Sequence, residues 1–260
     1  MATDAHLKSI IEKYERESPA VRVAFGAHTL VYATPNSTCL TRVDTLASKE
    51  PHTLPWLESL PEGGVLLDVG ANVGMYTIFA AVVRRALVYA FEPESQNFGI
   101  LCRNIVLNGL ADRVTAWCAA LSDEQKFSKM FLSAFDAGGS CHSFDAPLNA
   151  FLETQKFPFA QGSYSTTIDA LVAGGSIPVP TYIKIDVDGI EHKVVGGAIA
   201  TLSNPSVKSV LIEINTHLAE HRAIIEMLAN AGLVHDPAQF AEAQRTDGAF
   251  KGVGECIFRR

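Results

Sequence analysis

The segment LLDVGANVGMYTIFAA, residues 66–81, most constrains what this chain can fold into. An apolar strand ends at Asp68, and a turn containing Gly70 and Gly74 leads into an apolar helix. Glycines in such a turn let the backbone approach a ligand closely. In open α/β sheets, ligands bind beyond the carboxyl ends of the strands, where the strand order reverses. The segment therefore predicts an α/β sheet with a nucleotide-like ligand at this turn.

The spacing of the glycines indicates which ligand fits. The pattern is G-x-x-x-G, and not the G-x-G-x-x-G that brings a helix N-terminus against a dinucleotide pyrophosphate. Asp68 lies two residues before Gly70, so its carboxylate can help to hold an ammonium and a sulfonium, directly or through water. Glu92 closes the next strand, where a carboxylate in such folds binds ribose hydroxyls. This charge pattern disfavours NAD and suits S-adenosylmethionine.

Short apolar, β-branched runs alternate with helix-length segments from residue 65 onward, which is typical of crossover units on a parallel sheet. The sequence predicts strands near 65–69, 86–91, 113–118, 181–186 and 209–214, and helices near 74–84, 95–108, 189–202 and 218–231. Two late strands near residues 233 and 256 are expected to run antiparallel. We predict a Rossmann-like, doubly wound α/β fold: a mostly parallel sheet with helices on both faces and an antiparallel C-terminal edge strand.

The chain is predicted to be organised as a cap and one large domain. Residues 1–60 contain a polar helix-like stretch at 4–17 and a hairpin-like alternation at 21–26 and 28–34. Residues 61–260 form the ligand-binding domain, interrupted on its substrate side by an irregular insertion at about 130–165.

Charge and cysteine content exclude several classes of partner and site. The net charge is −7, and the 21 basic residues form no stripe that could neutralise a phosphate backbone, so no nucleic acid partner is expected. No apolar run approaches the roughly 20 residues of a membrane span, and no signal peptide is visible. The 5 cysteines are far apart, which argues against disulfides and thiolate zinc. We expect a cytoplasmic protein with no membrane partner.

Five blocks occur in an order that resembles the FkbM family of methyltransferases: DVGANVGMYTIFAA (68–81), AFEPESQNFGILCRNIVLNG (90–109), AALSD (119–123), TTIDAL (166–171) and YIKIDVDGIEHKVVGGA (182–198). The resemblance implies a class I methyltransferase fold, S-adenosylmethionine as methyl donor, and O-methylation of a sugar, polyketide or other secondary metabolite. By position it implies that the methionine part is held by Asp68, Gly70, Asn72 and Gly74, the ribose by Glu92, and the adenine by Ala120, Leu121 and Ser122.

The acceptor side is predicted from KIDVDGIEH, residues 184–192, which ends the fourth strand and begins a helix. Methyl transfer to an alcohol requires alignment of the acceptor oxygen and a group that manages its proton. Asp186 is the leading catalytic candidate, whereas Asp188 is expected to cap the helix. His142, in the stretch GGSCHSF of the insertion, is the alternative base because imidazole titrates near neutrality.

A metal-assisted variant of this site is also open. Glu213 and Asn215 lie on one side of the fifth strand and could meet Asp186 across neighbouring strand ends. Such oxygen ligands suit Mg²⁺, which would lower the pKa of an acceptor hydroxyl.

Other functions remain open at this stage. The same turn and ribose carboxylate could serve an aminopropyl transferase, a dehydrogenase with an unusual turn, or a non-catalytic nucleotide-binding module. The acidic balance makes methylation of a protein or nucleic acid a minority interpretation, so the expected partner is a small hydroxylated acceptor. The sequence leaves the oligomeric state open, with a homodimer among the alternatives.

Overall fold

The computed structural model describes residues 4–17 and 19–260; residues 1–3 and 18 of the predicted cap lie outside this description. Its strands are β1 (Ala20–Phe25), β2 (His28–Ala33), β3 (Val65–Val69), β4 (Leu87–Phe91), β5 (Val114–Trp117), β6 (Ala120–Leu121), β7 (Lys126–Leu132), β8 (Ser143–Phe144), β9 (Phe159–Thr166), β10 (Tyr182–Ile185), β11 (Ser209–Asn215), β12 (Val234–His235) and β13 (Val253–Arg259). Its helices are α1 (Ala5–Glu17), α2 (Ser37–Asp44), α3 (Thr53–Glu58), α4 (Met75–Val83), α5 (Ser95–Leu107), α6 (Ile168–Ala173), α7 (Glu191–Gly196), α8 (Ile199–Leu202), α9 (Ala219–Asn230) and α10 (Pro237–Ala243). None of these described helices combines the length and the apolar character that a membrane span requires.

Within the described residues, the central sheet has seven strands in the order β12-β13-β11-β10-β3-β4-β5. The strands from β11 to β5 are parallel. The chain starts this sheet in its middle at β3, moves outward to β5 and returns to the other side of β3 as β10, so the strand order reverses between β3 and β10. The predicted doubly wound fold is therefore confirmed.

The late antiparallel strands are also confirmed, with one difference in their placement. β13 pairs antiparallel with both β11 and β12. It therefore lies inside the sheet, and the two-residue strand β12 forms the edge.

Alternate residues of the central strands pack on opposite faces of the sheet. Leu66 and Leu67 of β3 are both fully buried, but they belong to different hydrophobic clusters. The cluster around Leu66 includes Phe79 of α4, and the cluster around Leu67 includes Val195 of α7 and Ile224 of α9. Because helices cover both faces, the strands read as continuous apolar runs in the sequence.

The N-terminal residues form a cap that is attached to the sheet by buried polar contacts. β1 and β2 form the predicted antiparallel hairpin, and α1 buries none of its residues. The hydroxyl of Tyr32 donates to the carbonyl of Met75 at 2.9 Å, and the indole N–H of Trp56 donates to Ser209 Oγ at 2.8 Å. These bonds fix the cap over the start of α4 and the adjacent strands.

The predicted insertion is more regular than the sequence suggested. Strand β7 begins at Lys126 and pairs antiparallel with β9, so that a second sheet forms with the order β6-β9-β7-β8. The prediction missed this sheet because its two long strands are separated by 26 residues of irregular sequence, 133–158, and pair only in the folded chain. Residues 133–142 of this connection reach back to the carboxyl ends of the central strands.

The helix predicted at 189–202 is divided into α7 and α8. The break follows Gly196, at Gly197 and Ala198. Gly197 packs directly against the backbone carbonyl of Ser122, so that a Cβ at this position would overlap that oxygen. The interruption therefore lets the chain pass close to the strand-end loop at residue 122.

Candidate active site

Three cavities open at the carboxyl ends of the central strands. The inner cavity, of about 540 Å³, has walls that include Phe91, Glu92, Ala120, Leu121, His142 and Phe144. The cap cavity, of about 430 Å³, has walls that include Arg42, Lys49, Glu50, Met75, Tyr76 and Lys184. The outer cavity, of about 770 Å³, has walls that include Ser140, Cys141, Asp188, Glu213, Arg245 and Phe250. Gly70, Asn72 and Asp186 line all three, so the predicted nucleotide turn and the predicted acceptor residue meet at one junction.

Gly70 holds this junction open. Its φ is +76°, in the left-handed region that favours glycine. A Cβ on residue 70 would overlap the backbone carbonyl oxygen of Asp186. The turn after β3 and the loop after β10 therefore approach each other as closely as backbone atoms allow.

Glu92 is fixed at the end of β4 by two backbone donors. Its Oε2 accepts the N–H of Asn72 at 2.8 Å, and its Oε1 accepts the N–H of Glu94 at 2.9 Å. Burial raises the pKa of Glu92 to about 7, although the N–H groups of Glu94 and Asn72 favour the ionised form. Since each carboxylate oxygen has more than one acceptor site, Glu92 can also accept hydrogen bonds from a ligand in the inner cavity.

Two of the predicted cofactor residues lie behind the cavity walls. Asp68 is buried at the end of β3, and its Oδ2 accepts the hydroxyl of Thr77 at 2.6 Å. Burial raises the pKa of Asp68, while the ammonium of Lys184 opposes this shift. Gly74, with a φ of +84°, begins α4. Neither Asp68 nor Gly74 lines any of the three cavities, so their contact with a cofactor stays a prediction.

Two of the three residues predicted to hold the adenine line the inner cavity. They are Ala120 and Leu121, and Phe91 lines the same cavity. Ser122 does not line it; its N–H donates to the carbonyl of Thr166 at 3.0 Å. Ala120 and Leu121 are therefore placed to contact a ligand in this cavity, and the role of Ser122 stays a prediction.

Lys184 and Asp186 form an ion pair at the floor of the junction, with 3.2 Å between Nζ and Oδ2. The ammonium of Lys184 also lies 5.2 Å from the ring centre of Tyr76. Burial alone would raise the pKa of Asp186, but the charges of Lys184 and Lys49 hold it below its ordinary value. Asp186 is therefore a permanently ionised hydrogen-bond acceptor near neutral pH.

Asp188 does not form the expected helix cap. Its φ is +61°, and the residue before α7 is Ile190, which makes no side-chain cap. The carboxylate of Asp188 instead accepts the N–H of Cys141 at 2.7 Å, which ties the insertion to the loop after β10. Burial, and then the neighbouring charge of Asp186, raise the pKa of Asp188 to about 7.

Glu191 holds this loop in its left-handed conformation. Its Oε1 accepts the N–H of Val187 and its Oε2 accepts the N–H of Gly189, each at 3.0 Å. The Nε2 atom of His221 lies 3.2 Å from the same Oε2. The side chain of Glu191 is completely buried, so these contacts are shielded from water.

His142 lines the inner cavity but has a restricted proton chemistry. Its Nδ1 accepts the N–H of Ser133 at 3.2 Å, so the neutral ring carries its proton on Nε2. Burial lowers the pKa of His142 and favours this neutral form. In this arrangement Nε2 is a donor, and the role of His142 as a base stays a prediction.

Comparison with known proteins decides the family. The family model described as the methyltransferase FkbM domain matches residues 68–234. The chain belongs to this family. The doubly wound strand order described above agrees with the class I methyltransferase fold that the sequence resemblance implied.

Individual relatives of the FkbM family match at low identity. The chain is 28% identical over 179 residues to the hexuronic acid methyltransferase AglP of Haloferax volcanii, covering 68% of this chain and 66% of AglP. It is 28% identical over 177 residues to the 31-O-demethyl-FK506 methyltransferase FkbM of Streptomyces tacrolimicus, covering 60% of this chain and 67% of that protein. A solved structure of methyltransferase FkbM from Methylobacillus flagellatus gives a TM-score of 0.49 at 15% identity, covering 86% of this chain and 54% of that one.

The two carboxylates of the predicted metal site, Asp186 and Glu213, are brought together. Oxygen atoms of these two residues and of Glu191 lie within 4.8 Å of one another. The third predicted ligand atom, Asn215 Oδ1, accepts the N–H of His217 at 3.0 Å. Glu191 already accepts two backbone N–H bonds, and Glu213 pairs with Arg245 at 3.2 Å. A magnesium site formed by Asp186, Glu213 and Asn215 stays a prediction.

The residues that sequence reasoning missed lie outside the segment matched by the FkbM model. Arg42, Lys49 and Glu50 come from the cap, and Arg245 and Phe250 precede β13. None of them belongs to a motif or to a strand end, so no local pattern marks them. They reach the site only because the cap and the chain after α10 pack against its two sides.

Proposed function

We propose that this protein transfers the methyl group of S-adenosylmethionine to a hydroxyl of a small molecule. One observation carries the proposal: a cavity with a buried strand-end carboxylate, Glu92, joins two polar cavities at Gly70, where the backbones of two loops touch. The cofactor fits this arrangement because adenosine needs apolar walls and a ribose acceptor, while its other end is charged. Family membership supports the same chemistry.

When bound, S-adenosylmethionine supplies a methyl group activated by its sulfonium. The protein then has to hold an acceptor oxygen in line and to receive its proton. Asp186 suits both tasks because its carboxylate is ionised, held by Lys184, and present in the walls of both the inner and the outer cavity. We assign to it the hydrogen bond that orients the acceptor hydroxyl and the receipt of the hydroxyl proton, which the oxygen loses readily once it carries the methyl group.

The outer cavity is the proposed acceptor site. It is larger than the inner cavity, and its walls combine polar groups such as Ser140 and Glu213 with the ring of Phe250. Such a lining suits a hydroxylated molecule with an apolar face, such as a sugar or a polyketide. The relatives, by their names, act on a hexuronic acid and on 31-O-demethyl-FK506.

Calorimetric titration with S-adenosylmethionine, S-adenosylhomocysteine and NAD tests the cofactor assignment. We expect micromolar affinity for the first two and none for NAD. Glu92→Gln should lower the affinity for S-adenosylmethionine and for S-adenosylhomocysteine by about tenfold or more, because the charged acceptor for the ribose hydroxyls is replaced by a neutral one. Glu62→Gln, on the exposed surface, is the matched control. Binding of NAD alone, or no loss in Glu92→Gln, contradicts the assignment.

Reaction type is tested separately by incubating the protein with S-adenosylmethionine and a panel of sugars and polyketides. Formation of S-adenosylhomocysteine that depends on the acceptor, with a mass gain of one methyl group on that acceptor, is the expected result. Release of 5′-methylthioadenosine instead would indicate aminopropyl transfer. Absence of turnover across a broad panel would favour a binding module.

A further inference from the structure

One cation in the walls of the cap cavity contacts no carboxylate among the described residues. Lys49 pairs with Glu50 Oε1 at 3.0 Å, and Lys184 pairs with Asp186 at 3.2 Å. Arg42, the third cation in these walls, has no carboxylate partner among the residues that the structure describes. The cavity therefore has an unpaired positive charge, which an anionic ligand group would neutralise.

Arg42 is held in place by the insertion. Its Nε donates to the carbonyl of Gly138 at 2.6 Å, and its Nη2 lies 3.5 Å from the carbonyl of Gly139. These contacts fix the plane of the guanidinium, while Nη1 has no partner among the described residues. A guanidinium positioned in this way presents paired N–H donors in the geometry that a carboxylate accepts.

Glu50 supplies an unused acceptor in the same cavity. Its side chain is buried, with 3% of the residue surface exposed. Oε1 is paired with Lys49, and Oε2 is buried without a partner at hydrogen-bond distance in the described residues. The hydroxyl of Tyr76 is the neighbouring donor that faces the same carboxylate. Buried carboxylate oxygens without a close donor are rare, so this atom is left to accept a hydrogen bond from a ligand.

We infer that the cap cavity binds the amino-acid end of the cofactor: Arg42 binds its α-carboxylate, and Glu50 binds its α-ammonium. The inference rests on the proposed function. A zwitterion needs one unpaired cation and one unpaired acceptor close together, and both are present here. The cap cavity and the inner cavity share Gly70, Asn72 and Asp186, so one extended molecule can occupy both.

The outer cavity is a poorer site for this end of the cofactor. Arg42 and Lys49 also line it, but Glu50 does not. Its remaining walls include two further acids, Asp188 and Glu213, of which Glu213 is already paired with Arg245. Among the described residues that line it, no carboxylate oxygen is buried without a hydrogen-bond partner.

Three ligands distinguish the contribution of the α-carboxylate to affinity from that of the α-ammonium, without any change to the protein. S-adenosylhomocysteine carries both the carboxylate and the ammonium. S-adenosyl-3-thiopropylamine lacks the carboxylate, and 5′-methylthioadenosine lacks both groups. Calorimetry on the wild-type chain should give the tightest binding for S-adenosylhomocysteine and a loss of about tenfold or more for 5′-methylthioadenosine.

Two variants then assign each group to its residue. Arg42→Gln should lower the affinity for S-adenosylhomocysteine by about tenfold. The affinities for the two ligands that lack the carboxylate should stay within about twofold of the wild-type values. Glu50→Gln should lower the affinity for both ligands that carry the ammonium. The affinity for 5′-methylthioadenosine should stay within about twofold of the wild-type value. Arg22→Gln and Glu58→Gln, which change exposed cap residues, are the matched controls and should change none of the three affinities.

The outcomes distinguish this inference from the proposed function. If wild type binds all three ligands equally, or if each variant weakens all three by the same factor, the cap cavity does not bind the amino-acid end, while the cofactor assignment stands. If wild type binds none of them, the cofactor assignment fails and the inference fails with it. The wild-type ligand series gives a decision even if a variant does not fold.

Discussion

The contact between Gly70 and the carbonyl of Asp186 makes residue 70 intolerant of any side chain. We expect Gly70→Ala to destabilise the fold by about 3 kcal/mol or more, because a left-handed φ and a backbone overlap act together. Binding of S-adenosylhomocysteine should be lost in any folded fraction. Urea unfolding followed by circular dichroism measures the first effect, and calorimetry measures the second.

Gly109 provides the matched control for this substitution. Its φ is +65°, but a Cβ there would meet no atom within 4 Å. Gly109→Ala should therefore cost only about 1 kcal/mol, from backbone conformation alone, and should not change ligand affinity. Equal losses of stability in the two variants would show that the overlap at Gly70 is relieved by movement of the loop.

Among single residues, the sequence predicted the placement of those that follow a strand end. Gly70 and Glu92 could be placed at one cavity because a strand, a turn and an acid at the next strand end occur in a fixed order, and their contact with a cofactor stays a prediction. Asp188 could not, because its left-handed backbone and its bond to Cys141 depend on a segment 47 residues away. Arg42 and Glu50 were missed for the same reason: their contribution exists only after the cap has packed.

The loop between β10 and α7 depends on Glu191, whose carboxylate accepts N–H bonds from Val187 and Gly189. Glu191→Gln replaces one acceptor by a donor that faces a backbone N–H. We expect a loss of about 2–4 kcal/mol in the free energy of unfolding. Thermal and urea unfolding measure it, with Glu220→Gln on the exposed start of α9 as the control. A loss below about 1 kcal/mol would mean that the loop holds its conformation without this side chain.

Helices and strands were predictable in proportion to how continuous their apolar pattern is. β3, β10 and β11 are buried on both faces, so their sequences are mostly apolar and their bounds were found within a few residues. β7 and β9 pair across a long connection, and only four of their 15 residues are buried. Their alternation is visible only once the partner strand is known.

The fold buries acidic side chains, and burial favours their protonated form. This preference sets how the stability of the protein depends on pH. Burial raises the pKa of Glu255 on β13 to about 8. A carboxyl with a higher pKa in the folded chain than in the unfolded chain stabilises the fold at low pH, and this stabilisation is lost as the pH rises through the folded value. We expect the ligand-free protein to lose stability between pH 6.5 and 8.5, about 2 kcal/mol of it from Glu255.

Unfolding in urea at several pH values tests this expectation. Glu255→Gln should be more stable than wild type at pH 8.5 and should show a shallower pH dependence. Glu226→Gln removes an exposed acid from α9 and should follow the wild-type curve. A parallel curve for Glu255→Gln would show that the chain relaxes to hydrate this carboxylate.

The position of β13 has a consequence for the order of assembly. This strand follows the other described strands in the sequence, yet it lies between β11 and β12, and it carries Glu255 opposite Glu213. During synthesis, the central sheet therefore has a gap until β13 has emerged and inserted. Because Arg245 and Phe250, which precede β13, line the outer cavity, a nascent chain completes this cavity only after the segment that leads into β13 has left the ribosome.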